Sequence, residues 1–427
     1  MNRLLELLWR AGELSGHQFA GAAGECITVT AEGEQSDDEQ GVWIAAEVTV
    51  DGERRRGPVA IGAETPVPAG AVLRVVADAD ATPVLGSDDR LVPQIAPPIL
   101  PEAMATYDAL RAGASGCGCA SRIARMESVH RTAFYTSLLV ERLQRKTEQI
   151  AATFESTGRD WHQTFHTLLL RAMGGNRNRE AFTALAAKAT SAMISREKSS
   201  IVKIEALLLG SAGFLFGGRG GESEKDDYTL RLEEEARHLT AKYQITPLRP
   251  AVWDLSRLYP ANHPAVRLVE IAALLCKKDF MLDGVLGCRT SADVETLFAA
   301  TASDYWRTHY TPSGNESAPS AKTIGRAKAR LIGINLAAPL MFAYGRHTGA
   351  DELCDRALDL LADIPAERNK LLDGWYSEGC EAQNGFESQA LLQLAGEYCA
   401  HKACTNCRLG RTEIKSALAR KTYTNNE

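Results

Sequence analysis

The chain has 427 residues, 45% apolar and 24% charged, with a net charge of −6. That is too long for one small core and too apolar for a disordered chain, so two or three globular domains are expected. The acidic balance gives no overall pull toward nucleic acid and leaves any such binding to a local basic patch.

The opening MNRLLELLWRAGELSG is apolar, but Glu6 and Arg10 interrupt it and no small-residue cleavage site follows. It is expected to form a short helix with Leu4, Leu5, Leu8 and Trp9 on one face, not a signal peptide. From about residue 25 to 97 the pattern has period two: CITVTAE, VWIAAEVTV, GPVAIG, AVLRVVAD and RLVPQIA are short runs rich in Val and Ile, broken by turn-formers such as Asp51-Gly52. Alternation places Ile44, Ala46, Val48 and Val50 on one face of the second run, with Trp43, Ala45, Glu47 and Thr49 on the other.

The prolines of PQIAPPILPE mark a boundary, because they remove backbone donors and disfavour helix at preceding residues. Everything after it reads as helix, with apolar residues three or four apart. TSADVETLF offers a capping-box start in Thr290 and Asp293, and GGRGGESEKDD is a charged, glycine-rich loop without the Lys-Ser or Lys-Thr of a phosphate loop. ALLLGSAGFLFGG falls short of the roughly 18 to 20 apolar residues that span a bilayer, so no membrane association is expected. The expected class is α+β, with a small mixed α/β domain over residues 1–100 and a large all-α domain over 101–427.

The segments ERLQRKT, SDYWRTHY, APLMFAYGRHTG with DELCDRALDLL, and NGFESQALLQL followed by EYCAHKACTNCRLG carry a resemblance over nearly the whole chain. They resemble an uncharacterised bacterial family, a domain of unknown function whose amino-terminal part looks like a PD-(D/E)XK, or restriction-endonuclease-like, nuclease. Such nucleases carry an Asp on one strand and an acid-x-Lys or similar pair, two apart, on the next, so that these side chains converge on Mg²⁺ and activate water. Registered on Asp51-Gly52, the resemblance puts the first acid of the family at Val42 and the acid and His of the next strand at Ala60 and Gly62. Arg74 stands where the family has a further His, and the connection between these strands is reduced to AETPVPAGA. None of these side chains suits a divalent cation, so the resemblance implies a degenerate nuclease-like domain with no catalytic Mg²⁺, and the assignment leans away from an enzyme. Strand pattern alone would carry no function. Glu47, Glu64, Asp78 and Asp80 remain as carboxylates, which read first as solvated acids.

Near the end, Cys399, Cys404 and Cys407 form C-x4-C-x2-C, and soft thiolates so spaced suit zinc or an iron–sulfur cluster in a structural role. Cys119 is the first choice of fourth ligand, because SGCGCASRI is a glycine-rich turn that resembles the place where the family carries a cysteine. Cys117 comes next, with His401 and Cys380 as fallbacks. Ten cysteines in a chain this long are no disulfide scaffold, and a reducing, cytoplasmic compartment is expected. Cys26, Cys276, Cys288 and Cys354 read as ordinary thiols.

Asp304, Trp306, His309 and Tyr310 read as a packed corner rather than a catalytic set. The basic clusters are Arg54 to Arg56 and the tail residues Arg408, Arg411, Lys415, Arg420 and Lys421; of these Arg408, Arg411 and Lys415 are candidates for phosphate contacts. Asn384, Ser388 and Gln389 match the family's signature without an assigned role. The expected function is a non-catalytic, nucleic-acid-associated protein with a Cys-ligated metal. The alternatives are a helical scaffold with a protein partner, or an enzyme with an unrecognised site in the helical part.

Overall fold

Asp51 and Gly52 both adopt positive φ, 50° and 85°, the geometry of a tight hairpin turn that matches the twist of its strands. They join β4 (Val42–Val50) to β5 (Glu53–Ile61). Around this hairpin lie β1 (Gln18–Ala20), β2 (Cys26–Ala31), β3 (Glu34–Gln35), β6 (Leu73–Val75) and β7 (Gln94–Ile95). The sheet order is β1-β2-β4-β5-β6-β7, with β3 paired to β4. Strands β1 to β5 pair antiparallel, whereas β5-β6 and β6-β7 are parallel. The computed structural model describes residues 2–36, 38–78, 81–87, 89–97, 101–112, 119–216 and 225–419.

The strand phase departs from simple alternation. A bulge lies between Trp43 and Ala46, centred on Ala45 with φ 57°, and an extra residue in one strand moves every earlier side chain to the opposite face. Trp43 therefore joins Ala46, Val48 and Val50 in the core, while Ile44, expected inside, is 46% exposed. Gly33 fits against this bulge: a Cβ there would meet the Ile44 carbonyl oxygen at 2.1 Å.

The helices are α1 (Asn2–Arg10), α2 (Pro101–Ala112), α3 (Ala120–Ala124), α4 (Ser128–Ser156), α5 (Trp161–Met173), α6 (Arg179–Lys188), α7 (Ser191–Glu197), α8 (Ile201–Ser211) and α9 (Asp227–Lys242). They continue as α10 (Pro264–Lys277), α11 (Met281–Gly287), α12 (Ser291–Phe298), α13 (Arg326–Ile332), α14 (Ala338–Thr348), α15 (Asp351–Asp363), α16 (Lys370–Ser377), α17 (Gly385–Gln393) and α18 (Arg408–Ala419). Among the described residues no helix is long and apolar enough to cross a membrane. The α+β class is as expected.

Two compact units form. The first comprises Met1–Met126, Ser377–Cys380 and Leu394–Glu427; the second comprises Glu127–Tyr376 and Glu381–Gln393. This division differs from a single cut at residue 100, because α2, α3 and the terminal α18 belong with the sheet. In this first unit α1 is apolar on two sides. Leu5, Leu8 and Trp9 enter the sheet core with Val29, Val48 and Ile61, while Leu4 and Leu7 pack with Tyr107, Leu110 and Ile414. Burying each of these leucines contributes roughly 1.5–3 kcal/mol, so the terminal helix is held by ordinary apolar burial.

The second unit is helical apart from the short β8 (Ala300–Thr301) and β9 (Thr323–Ile324). Some helix starts are set by side-chain caps: Asp160 caps α5, and Thr290 with Asp293 forms the expected capping box of α12. The stretch AKTIGRAKARLIGINLAAPLMFAYG, residues 321–345, reads as helix, but β9 opens it and a π-turn at Gly333–Ala337 separates α13 from α14. Pro339, two residues past the turn, lacks the N–H that regular winding would require.

Candidate functional site

Val42, Ala60, Arg74 and Gln94 lie opposite one another in a single row across β4, β5, β6 and β7. Their neighbours Trp43, Val59, Ile61, Leu73 and Val75 face the α1 core, so period two turns this row to the other side of the sheet. Gly62 follows at the end of β5 with φ 114°. The row thus presents an isopropyl group, a methyl group, a guanidinium and an amide. Arg74 is 5% exposed and donates through Nη1 to the Thr82 carbonyl at 3.1 Å and to Gln94 Oε1 at 3.3 Å, and through Nη2 to the Ala63 carbonyl. It fastens the segment after β5 to the sheet, and burial lowers its pKa. Glu47 is engaged by Arg54 and Arg56, and Arg55 pairs with Glu53, so the triple arginine run is a solvated, paired face. Asp80 lies outside the described residues.

The cysteines gather in the same unit. Cys119 and Cys404 pack against the cluster of Leu4, Leu7, Tyr107, Leu110 and Ile414. The Cys119 thiol is pushed up to about 12, first by burial and then by Cys407 and Cys404, and the Cys404 thiol is raised by burial and by Cys407. Three of the four expected ligands therefore feel one another's charge. Among the described residues, however, no group of three or more His, Cys, Asp or Glu is arranged to hold a metal ion. Cys117 lies outside the described residues. The Cys404–Cys407 turn is tucked under α18: a Cβ on Gly410 would meet the Cys404 carbonyl oxygen at 2.1 Å. On α18, Arg408 and Lys415 are exposed and Arg411 half-buried, and spacings of three and four put them on one helix face. Arg420 and Lys421 lie outside the described residues.

The SDYWRTHY segment forms a closed polar network. Glu205, fully buried, accepts from Tyr228 Oη at 2.8 Å, Ser303 Oγ at 2.9 Å and Trp306 Nε1 at 2.9 Å, and burial raises its pKa. The Tyr305 ring lies against Tyr228 at 4.4 Å and His309 at 4.1 Å, and its hydroxyl donates to Asp226 at 2.8 Å. These groups satisfy one another, as a structural corner requires.

A cleft of about 800 Å³ opens in the helical unit. Lys146 from α4, Arg171 from α5, Arg177 and Arg179 around the start of α6, Arg267 from α10 and Lys328 from α13 line it. Glu367 is the one carboxylate on its wall among the described residues. Behind the wall, Glu270 is shared by Arg267 at 3.1 Å and Lys328 at 2.8 Å, and Asp254 stands 3.9 Å from Arg177. Lys146 is pushed down to about 8 by burial and by Arg142, Arg179, Arg145 and Arg171. The cleft is therefore a concentration of positive charge with apolar walls that include Ile150, Leu168 and Phe182.

Two of the segments that carry the family resemblance meet beside it. Arg142 of ERLQRKT donates to Gln389 of NGFESQALLQL at 2.7 Å, and Gln389 donates to Glu367 at 3.0 Å. Ser388 Oγ accepts from the Glu367 backbone N–H at 3.3 Å, so the signature residues position the acidic wall of the cleft. The cleft itself was not foreseen from the sequence. Its cations are scattered from residue 146 to 328; the available signal was the run RAMGGNRNRE at 171–180, which concentrates three arginines around a glycine pair.

A family model described as "Protein of unknown function (DUF2851)" matches residues 69–370. All the cleft-lining residues fall inside this match, whereas Val42, Ala60, Gly62 and the three terminal cysteines fall outside it. No curated protein and no solved structure matches the chain.

Proposed function

The chain belongs to the DUF2851 family, and from that premise we propose that it is a non-catalytic nucleic-acid-binding protein whose binding site is the basic cleft of the helical unit. The observation that carries this reading is the meeting of Lys146, Arg171 and Arg179 in one concavity, beside Arg177, Arg267 and Lys328 that Asp254 and Glu270 already engage, in a chain whose net charge is −6. Low-dielectric walls focus the field of such a cluster, and a phosphodiester chain would supply anions to the Lys146, Arg171 and Arg179 side, which faces Glu367 as the one carboxylate of the described lining. The mutual repulsion acting on Lys146 is what a bound phosphate would relieve. The non-catalytic part of the reading is supported by the side chains at Val42, Ala60 and Gly62, which offer no oxygen to a divalent cation. Arg408, Arg411 and Lys415 on α18 are separate candidates for phosphate contacts in this proposal, and a cytoplasmic location is proposed with it.

The test is binding of fluorescent DNA and RNA at several salt concentrations. Affinity should fall linearly on a log–log plot, and Arg171→Gln should reduce both affinity and the slope, by about 0.7–0.9 for each phosphate the variant no longer neutralises. Salt-independent binding, or wild-type behaviour of both Arg171→Gln and Arg179→Gln, would remove the cleft from this role.

We also infer that Cys119, Cys404 and Cys407, with Cys399 as fourth ligand, take up zinc or an iron–sulfur cluster as a structural clip. The C-x4-C-x2-C spacing and the mutual influence of three of the thiols support this. A soft ion would favour their thiolate forms and draw the ligands into a closed tetrahedral set.

A further inference from the structure

Leu258 and Asn262 of the segment 249–263 form part of the cleft's rim, and hydrogen bonds hold that segment. Asn178 clamps it by accepting from the Asp254 N–H at 2.8 Å and donating to the Asp254 carbonyl at 3.1 Å. Arg177 donates to the Ser256 carbonyl at 2.6 Å, and Arg267 donates to Asn262 Oδ1 at 2.7 Å. Two of the cleft's own cations therefore hold this rim, which sends Leu258 and Asn262 into the lining. Between them stands Tyr259, 79% exposed, followed by Pro260, whose ring fixes the turn that begins there. Leu255 and Val252 on the same segment are 44% and 46% exposed.

The Tyr259 side chain makes no hydrogen bond or ring contact among the described residues, so its ring is available to a ligand. Beside a cationic cleft it supplies what phosphate contacts lack, a flat apolar face for a base. Bases in a duplex already stack on one another and do not present that face, whereas unpaired bases do. Phosphate-tracking cations with an adjoining aromatic platform are the combination that holds a single strand without reading its sequence.

We propose that the ligand of the cleft is single-stranded nucleic acid, held by its phosphates on the Lys146–Arg171–Arg179 wall and by one unpaired base stacked on Tyr259. This rests on the nucleic-acid reading of the cleft and narrows it to one class. RNA and DNA strands share the required chemistry.

The experiment measures binding by fluorescence anisotropy with four probes: single-stranded RNA and DNA of about 12 nucleotides, the matching duplex, and an abasic DNA strand with the same phosphates and no bases. The wild type should bind either single strand about tenfold more tightly than the abasic strand or the duplex. Tyr259→Ala should lose about tenfold on single strands and nothing on the abasic strand. Tyr259→Phe should restore wild-type binding, since it keeps the ring. Because Tyr259 is exposed, thermal melting should be unchanged in both variants, which separates a stacking defect from a folding defect.

Equal binding of abasic and normal strands, or of duplex and single strand, overturns the stacking proposal, as does wild-type affinity in Tyr259→Ala. In each case loss of binding in Arg171→Gln still upholds the phosphate-binding cleft. Absence of binding to all four probes at low salt overturns both.

Discussion

Arg142 donates from Nε to the side-chain carbonyl of Gln389 at 2.7 Å, and one helical turn on Arg145 donates to Gln393, also at 2.7 Å. These bonds join segments 247 and 248 residues apart, so α17 is fixed on α4 in one register. The neighbouring Lys146 lines the cleft. Hydrogen bonds to a charged group contribute about 1.5–3 kcal/mol when a partner is removed. Gln389→Leu removes the bond to Arg142 and the one to Glu367, so it should destabilise the chain by at least that amount, read as a lower urea midpoint with an unchanged slope; an unaltered midpoint would show that both bonds are dispensable.

Lys146 gives the cleft a pH signature. With its pKa pushed down to about 8, the ammonium is present below that pH and lost above it. Affinity for a nucleic-acid strand should therefore hold from pH 6 to about 7.5 and decline as pH rises through 8. In Lys146→Arg the guanidinium stays charged, so the decline should vanish. A wild-type profile flat to pH 9.5 would exclude Lys146 from the contact.

His166 gives the helical unit a different one. The ring is 2% exposed, with Nε2 2.7 Å from the Ala189 carbonyl, and burial lowers its pKa from 6.5 to about 4. The folded state thus prefers the neutral ring. Its stabilising contribution is complete above pH 6.5 and is lost as pH falls toward 4, amounting to roughly 3 kcal/mol over the window. Urea midpoints at pH 7 and pH 5 should differ more in the wild type than in His166→Gln, which keeps a donor for Ala189 but does not titrate.

The cysteine group is tested by metal analysis of anaerobically purified protein. One zinc or one iron–sulfur cluster per chain is expected, and Cys404→Ser with Cys407→Ser should lose it. Chelation should lower the melting temperature, because an ion bound only by the folded state adds its binding free energy to folding. Protein containing neither zinc nor iron ends that proposal.

What could be read from the sequence was whatever depends on near neighbours. Strands β4 and β5 follow from their valines and from Asp51-Gly52, and the start of α12 from Thr290 and Asp293. The phase of β4 was not legible, because nothing in VWIAAEVTV announces that Ala45 will take φ 57°. The docking of α18 was equally hidden: Ile414 looks like any buried helix residue, and its partners Leu4 and Leu7 come four hundred positions earlier. The cleft is the extreme case, since Arg267 and Lys328 acquire meaning only when Glu270 holds them together beside Lys146.

Ala60 stands directly across from Arg74 on parallel strands, and that pairing limits what the row could ever hold. An aspartate placed at 60 would find a resident cation already in reach and would be neutralised by it, with nothing left over for magnesium. A divalent-cation site here therefore requires the arginine to leave first, at the expense of the strap it ties at Ala63 and Thr82. Each change toward such a site costs stability before it supplies any oxygen ligand.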